Sequence, residues 1–132
     1  GTLSGNAFAI RAMRAALEHV MTAEAYAVME ARAARLEDGV REVIAARGLP
    51  WGVARLGARV EYRFHPRKPV NATEATAAAD PGLDRLFRLY FMNRGILLTI
   101  FYNVALLSPA TTDEDVDRHN AVFADFAQAL LA

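Results

Sequence analysis

The densest chemistry in the chain lies in Gly1, Thr2, Leu3, Ser4, Gly5 and Asn6, which run directly into a segment of helical pattern. Two glycines permit tight turns, and the hydroxyls and amide stand beside the unpaired N–H groups of a helix start. Free backbone donors and the positive end of the helix dipole together favour a phosphate or carboxylate there, with no lysine required. The same residues also make an ordinary N-cap, with Ser4 or Asn6 closing the helix, which is their commoner use. A second set is Arg59, Glu61, Arg63 and His65, which alternate along an extended stretch. Arginine's planar fork suits a carboxylate, but a row of mixed sign is usually the wet side of an antiparallel sheet, and that is the expectation. Asp115 and His119 stand four apart on a helix, yet no second histidine pair or cysteine completes a metal site, so they read as solvated helix surface. The acidic run 113–117 suits a helix N-terminus and lacks the glycine and glutamate of a calcium loop. His19 and His65 have no acid or nucleophile nearby in sequence, so no hydrolase triad is proposed.

Composition narrows the classes. With 132 residues, 54% of them hydrophobic, the chain can build one domain with a real core. Fifteen basic and fifteen acidic residues balance to zero, so nothing draws it to nucleic acid or an anionic membrane. Fourteen of the basic residues are arginine; Lys68, between Arg67 and Pro69, is the lone lysine and reads as exposed. Without cysteine there is neither a disulfide framework nor a thiolate metal site. No apolar run approaches the roughly 18 residues of a membrane span and no signal peptide opens the chain, so a cytoplasmic setting is expected.

The elements that must position these residues follow from periodicity. Ile10, Met13, Leu17 and Val20 recur at helical spacing over residues 7–21. Thr22 caps a longer helix with Tyr26, Met29, Ala33, Leu36, Val40 and Val43 on one stripe; Gly48 and Pro50 stop it, and Gly39 marks a close helix contact. The period then drops to two, with Val60, Tyr62 and Phe64 on one face of a strand. A short strand over 51–55 precedes it, with Gly57 as the bend, and residues 66–76 read as a loop. Asp80 and Pro81 start a helix whose buried stripe is Leu83, Leu86, Phe87 and Tyr90, and Gly95 ends it. Residues 96–98 and 104–108 read as strands joined by an apolar connection, 99–103, which something is expected to cover. Thr111 and Glu114 form a capping box for the last helix, whose face is Val116, Phe123, Phe126 or Ala127, and Leu130. The expected class is α+β: a small, mostly antiparallel sheet covered by helices.

The opening motif and the closing stretch 108–117 resemble the carboxy-terminal third of class-III aminotransferases, pyridoxal-phosphate enzymes of fold type I, on the branch around glutamate-1-semialdehyde aminomutase. The strand after Gly57, the Pro69-Val70-Asn71 loop, the Gly95-Ile96-Leu97-Leu98 segment and the last helix fall in matching order, covering nearly the whole chain. The resemblance implies that Gly1 and Thr2 reach the phosphate of pyridoxal 5'-phosphate held by a homodimer partner. It also implies that residues 1–21 join the large domain and dimer interface to a small domain, 22–132. The substrate would be a small amino or keto compound. The family's Schiff-base lysine precedes the glycine-threonine motif, and Lys68 does not match it, so the chain alone is expected to be inactive, a part of an enzyme with no catalytic residue or metal of its own. Thr99 stands where many class-III transaminases place a carboxylate-binding arginine, and the aminomutase glutamate is unmatched near Tyr102 and Asn103. Those two are candidates for pocket lining; core packing of Tyr102 and a turn role for Asn103 are equally open. The rival is a free-standing α+β self-association module without catalysis. Exposure of Ile10, Met13 and Leu17 favours the enzyme part, and their burial the module.

Overall fold

The computed structural model describes residues 5–99 and 103–132. The first helix, α1 (Ala7–His19), begins where the Asn6 side chain accepts the N–H groups of Phe8 and Ala9 at 2.9 and 3.2 Å. The capping half of the opening motif is therefore formed, by Asn6. None of the residues of α1 is buried, and Ile10, Met13 and Leu17 are 46%, 57% and 60% exposed.

Thr22 caps α2 (Ala23–Arg47) through the Ala25 N–H, and the helix ends at Gly48, whose left-handed φ of 60° carries no penalty without a Cβ. Its buried face is Met29, Ala33, Leu36 and Val40. Tyr26, expected on that stripe, is exposed, because the buried face begins about one turn later, at Met29. The hairpin of β1 (Gly52–Leu56) and β2 (Arg59–Arg63) turns at Gly57, with φ 56°, and β3 (Val104–Leu106) pairs antiparallel to β2, giving the order β1-β2-β3.

Residues 66–76 are not all loop. Asn71 caps a short helix, α3 (Ala72–Ala77), and Glu74 reaches back to the Val70 N–H at 3.1 Å, a reciprocal cap that holds one and a half turns. Then α4 (Pro81–Met92) starts on the Asp80 cap and buries Phe87 and Phe91; Leu86, placed on the buried stripe by sequence, faces solvent because the i, i+4 pair sets the inner edge. Residues 96–98 do not join the sheet. Leu98 fills the core and the Thr99 N–H meets the Val104 carbonyl at 3.3 Å, so packing rather than a ladder holds them. The last helix, α5 (Asp113–Leu131), uses Thr112 and Asp115 as its capping box, one residue later than Thr111 and Glu114. Thr111 is occupied instead in accepting the Ser108 N–H at 3.0 Å. Val116, Phe123, Phe126 and Ala127 are buried as expected, whereas Leu130 lies past the end of the core and is exposed.

The core is a layer of α2 and α5 packed on the inner face of the sheet, with α4 closing one side. Gly39 marks the close contact its position suggested: a Cβ there would stand 2.6 Å from Cγ of Asn120 on α5. Gly39→Ala gains helix propensity, but it displaces Asn120. A net loss of roughly 1–3 kcal/mol is expected in urea unfolding, and a raised midpoint would show that Asn120 yields at no cost.

Candidate functional site

Alternation along β2 sends Val60 and Tyr62 into the core and Arg59, Glu61 and Arg63 to the other face. That face carries the expected mixed-sign row, with Arg59 half exposed and Glu61 and Arg63 partly covered. It floors a cavity of about 460 Å³, walled by Asp84 and Arg88 of α4 and roofed by the segment from His65 to α3. The roof exists because Asn71 and Glu74 fold the segment into α3 above the sheet.

Asn103 stands in the wall. Its carbonyl accepts the Tyr62 N–H at 2.8 Å, its amide donates to the Asp84 carboxylate, and its side-chain oxygen accepts from Arg88 at 3.3 Å. Its side chain is fixed from two sides. Glu61 lies between Arg59 at 3.6 Å and Arg63 at 3.4 Å. Nε and Nη1 of Arg63 are buried and have no acceptor among the described residues. The other acids are engaged: Asp80 caps α4 through the Leu83 N–H at 2.9 Å, and Asp84 holds Asn103. His65 Nδ1 accepts the Arg67 N–H at 3.2 Å.

Beneath the sheet lies a polar chain that sequence reasoning missed. His119 is buried, with Nε2 2.6 Å from the Tyr62 hydroxyl and Nδ1 3.1 Å from the Asn120 side-chain oxygen. Burial holds the His119 imidazole down to about 4, opposed by its Asn120 hydrogen bond, and burial pushes the Tyr62 hydroxyl far up. Both groups are therefore neutral at pH 7. Tyr62 donates to Nε2, Nδ1–H donates to Asn120, and the Asn120 amide donates to the Arg35 carbonyl at 3.4 Å, linking β2, α5 and α2. The reading of His119 as solvated surface is corrected; the signal was its place three after Val116 and four before Phe123 on the core stripe. Asp115 is exposed and caps the helix, and no group of three potential metal ligands occurs among the described residues.

Gly1, Thr2 and Tyr102 lie outside the described residues. Lys68 is exposed on the roof segment and lines a smaller pocket with His65 and Glu74. A Schiff-base cofactor needs a sheltered lysine and a phosphate cradle, and the described residues offer neither, so they do not fit pyridoxal phosphate by themselves.

Helices over a three-stranded antiparallel sheet are the small-domain architecture of fold type I pyridoxal-phosphate transferases. In sequence and in fold the chain is the carboxy-terminal part of a class-III pyridoxal-phosphate enzyme. It is 37% identical to glutamate-1-semialdehyde 2,1-aminomutase of Thermus thermophilus over 120 residues, and 35% identical to that of an Anaeromyxobacter species over 130, spanning 89% and 98% of this chain. The match takes in only 28% and 30% of those relatives' lengths. A glutamate-1-semialdehyde aminomutase crystal structure from Pseudomonas aeruginosa PAO1, in complex with PMP, superposes on the whole chain with a TM-score of 0.94 and 46% identity, using 29% of its own length. A β-phenylalanine aminotransferase from Variovorax paradoxus shares the fold at a TM-score of 0.68 and 24% identity, over 77% of this chain and 23% of its own. No family model matches the sequence. Among the described residues, no helix is long and apolar enough to cross a membrane.

Proposed function

We propose that this chain is the pocket-closing, carboxy-terminal part of a pyridoxal-phosphate-dependent class-III enzyme that transfers an amino group or moves it within a small amino or keto substrate. The observation that carries the proposal is the bare apolar stripe of α1, where Ile10, Met13 and Leu17, with Val20 just past the helix end, lie open to solvent next to a complete core. A helix of this kind needs a partner surface. In this reading residues 1–21 dock on the large domain and dimer interface, and 22–132 form the small domain. A homodimer is proposed from the sequence resemblance, and a cytoplasmic setting is proposed for it.

The cofactor, when bound, supplies the electron sink that lets an amino group leave one carbon and join another. Gly1 and Thr2 are proposed to offer a backbone N–H and a hydroxyl to its phosphate across the dimer. Asn103, held by Asp84 and Arg88, presents a fixed polar edge on the pocket side of β3 and orients substrate without taking a proton. Tyr102 is proposed to line the same pocket. The free-standing self-association module is not favoured, since likeness to the enzymes runs the length of the chain.

The direct test is to read the codons ahead of Gly1 in the parent gene, which are expected to encode a lysine and an aspartate for the cofactor's ring nitrogen. A reading frame holding neither would end the proposal. A second expectation concerns the chain by itself: mixed with pyridoxal phosphate and treated with borohydride, it should carry no stoichiometric adduct, because Lys68 is exposed and unsheltered. Peptide mass mapping checks this, and a full adduct at Lys68 would show that the chain holds its own nucleophile.

A further inference from the structure

The segment between β2 and α4 is tied to the rest of the protein only at its ends. From Pro66 to Ala79 every residue is exposed apart from Pro69 and Ala78, and none of them enters the core. Its hydrogen bonds close on themselves: Glu74 holds Val70 and Asn71, Thr76 donates to Ala72, and Arg67 meets only its neighbour His65. Among the described residues, no hydrogen bond or ion pair joins residues 66–79 to the sheet or to α4. Over the cavity it presents Ala75, Ala78 and Ala79, short side chains that leave the space beneath them unfilled. A segment with so few buried contacts moves at a small fraction of the cost of global unfolding. It is also stiff, because Pro66 and Pro69 fix their φ angles and α3 follows at once, so it moves as one piece about its ends.

Arg63, on the floor of the same cavity, has a complementary deficit. Its Nε and Nη1 are sealed from water and have no acceptor among the described residues, and only Nη2 reaches Glu61, at 3.4 Å. No solute in the cavity touches those two nitrogens. Their acceptors must therefore come from the protein itself. The strand cannot carry the arginine elsewhere, since β2 is paired on both sides and Tyr62 and Val60 are locked in the core, and Glu61 is already shared with Arg59. The neighbouring segment has acceptors to give. The carbonyls of Pro66, Lys68, Pro69 and Val70 take no hydrogen bond from any described residue, and the first of them lies only three residues beyond Arg63.

We infer that residues 66–79 form a strap that closes down on the outer face of β2 and is latched there by Arg63, whose Nε and Nη1 donate to strap carbonyls. In the open form the cavity measures about 460 Å³; in the latched form the strap takes up part of that space and the buried donors are satisfied. A guanidinium suits the task, because its donors are spread over a rigid planar fork and grip two carbonyls at once. The latch sets the size of the cavity. It uses no cofactor, so it stands apart from the pyridoxal proposal.

Nitrogen-15 relaxation dispersion on the 132-residue chain reads both halves of the latch. The strap amides and the Arg63 Nε–H are expected to exchange with one common rate constant, while the amides of α2 and α5 stay silent. Asn71→Ala removes the cap of α3 without touching the sheet. It is expected to speed solvent exchange of the Arg63 Nε–H by about fivefold or more, because a melted strap closes less often. In the other direction, Arg63→Gln is expected to abolish the dispersion of the strap amides, leaving the strap open. Asn71→Ala keeps the test decisive even if Arg63→Gln fails to fold. Unrelated rate constants, an Arg63 Nε–H indifferent to Asn71→Ala, or strap dispersion that survives Arg63→Gln would each overturn the inference.

Discussion

Phe126→Ala is expected to lower the unfolding free energy by about 3–5 kcal/mol, a large share of the 5–15 kcal/mol typical of a domain of this size. Phe126 is wholly buried at the centre of an aromatic cluster, with ring centroids 5.3 Å from Phe87, 5.2 Å from Tyr90 and 6.1 Å from Trp51. Those rings come from α4 and from the entry to β1, so the cavity left by truncation is bounded by separate elements. No one of them can shift to fill it without dragging its own contacts. The loss combines transfer free energy with an unrelaxed void. Urea unfolding checks it: the midpoint should fall while the slope stays constant, and a loss below about 1 kcal/mol would mean that α5 slides to close the gap.

Acid is expected to destabilise the protein through His119. In the unfolded chain this imidazole titrates at its ordinary value of 6.5, and in the folded chain it is held at about 4 by burial. Between those values the unfolded state binds more protons, so stability rises with pH across the window and is lost as pH falls through it. The direction is that of a buried base which must charge. By linkage the fall from pH 7 to near pH 5 amounts to roughly 2 kcal/mol. Asp113, Asp115 and Glu24, whose carboxyls are held below their usual range by hydrogen bonds, add losses at lower pH, but all three are fully exposed and solvent screens them. Comparison with His119→Gln separates the two. Unfolding midpoints measured near pH 7 and pH 5 should differ strongly in the parent and weakly in the variant, and equal slopes would place the acid sensitivity elsewhere.

Local signals in the sequence were reliable where the cause was local. Thr22, Gly48, Asp80 and Gly57 act through backbone groups within a few residues, so each cap, stop and bend fell where its chemistry dictated. The alternation of Val60 and Tyr62 placed one face of β2 inward for the same reason. Two local signals were misread because rival residues stood close by: Thr112 and Asp115 outcompete Thr111 and Glu114, and Asn71 with Glu74 turns a supposed loop into α3. The helical stripes were right in phase and wrong in extent. Tyr26, Leu86 and Leu130 carry the correct period, but whether a stripe position is covered depends on where the neighbouring element ends.

By itself, then, the order of residues determined the element types, the α+β class and the kinship with class-III pyridoxal enzymes, because these reside in short-range patterning and in motif order. Only the tertiary structure decided what becomes of the polar residues. Arg63, read as solvated, is partly covered, with Nε and Nη1 buried and without an acceptor among the described residues, because α3 and α4 close over the outer face of the sheet. His119, read as surface, is internal because Tyr62 arrives from 57 residues away to meet it. Burial and partnership are properties of elements brought together over long sequence separations, and no window of neighbouring residues contains them.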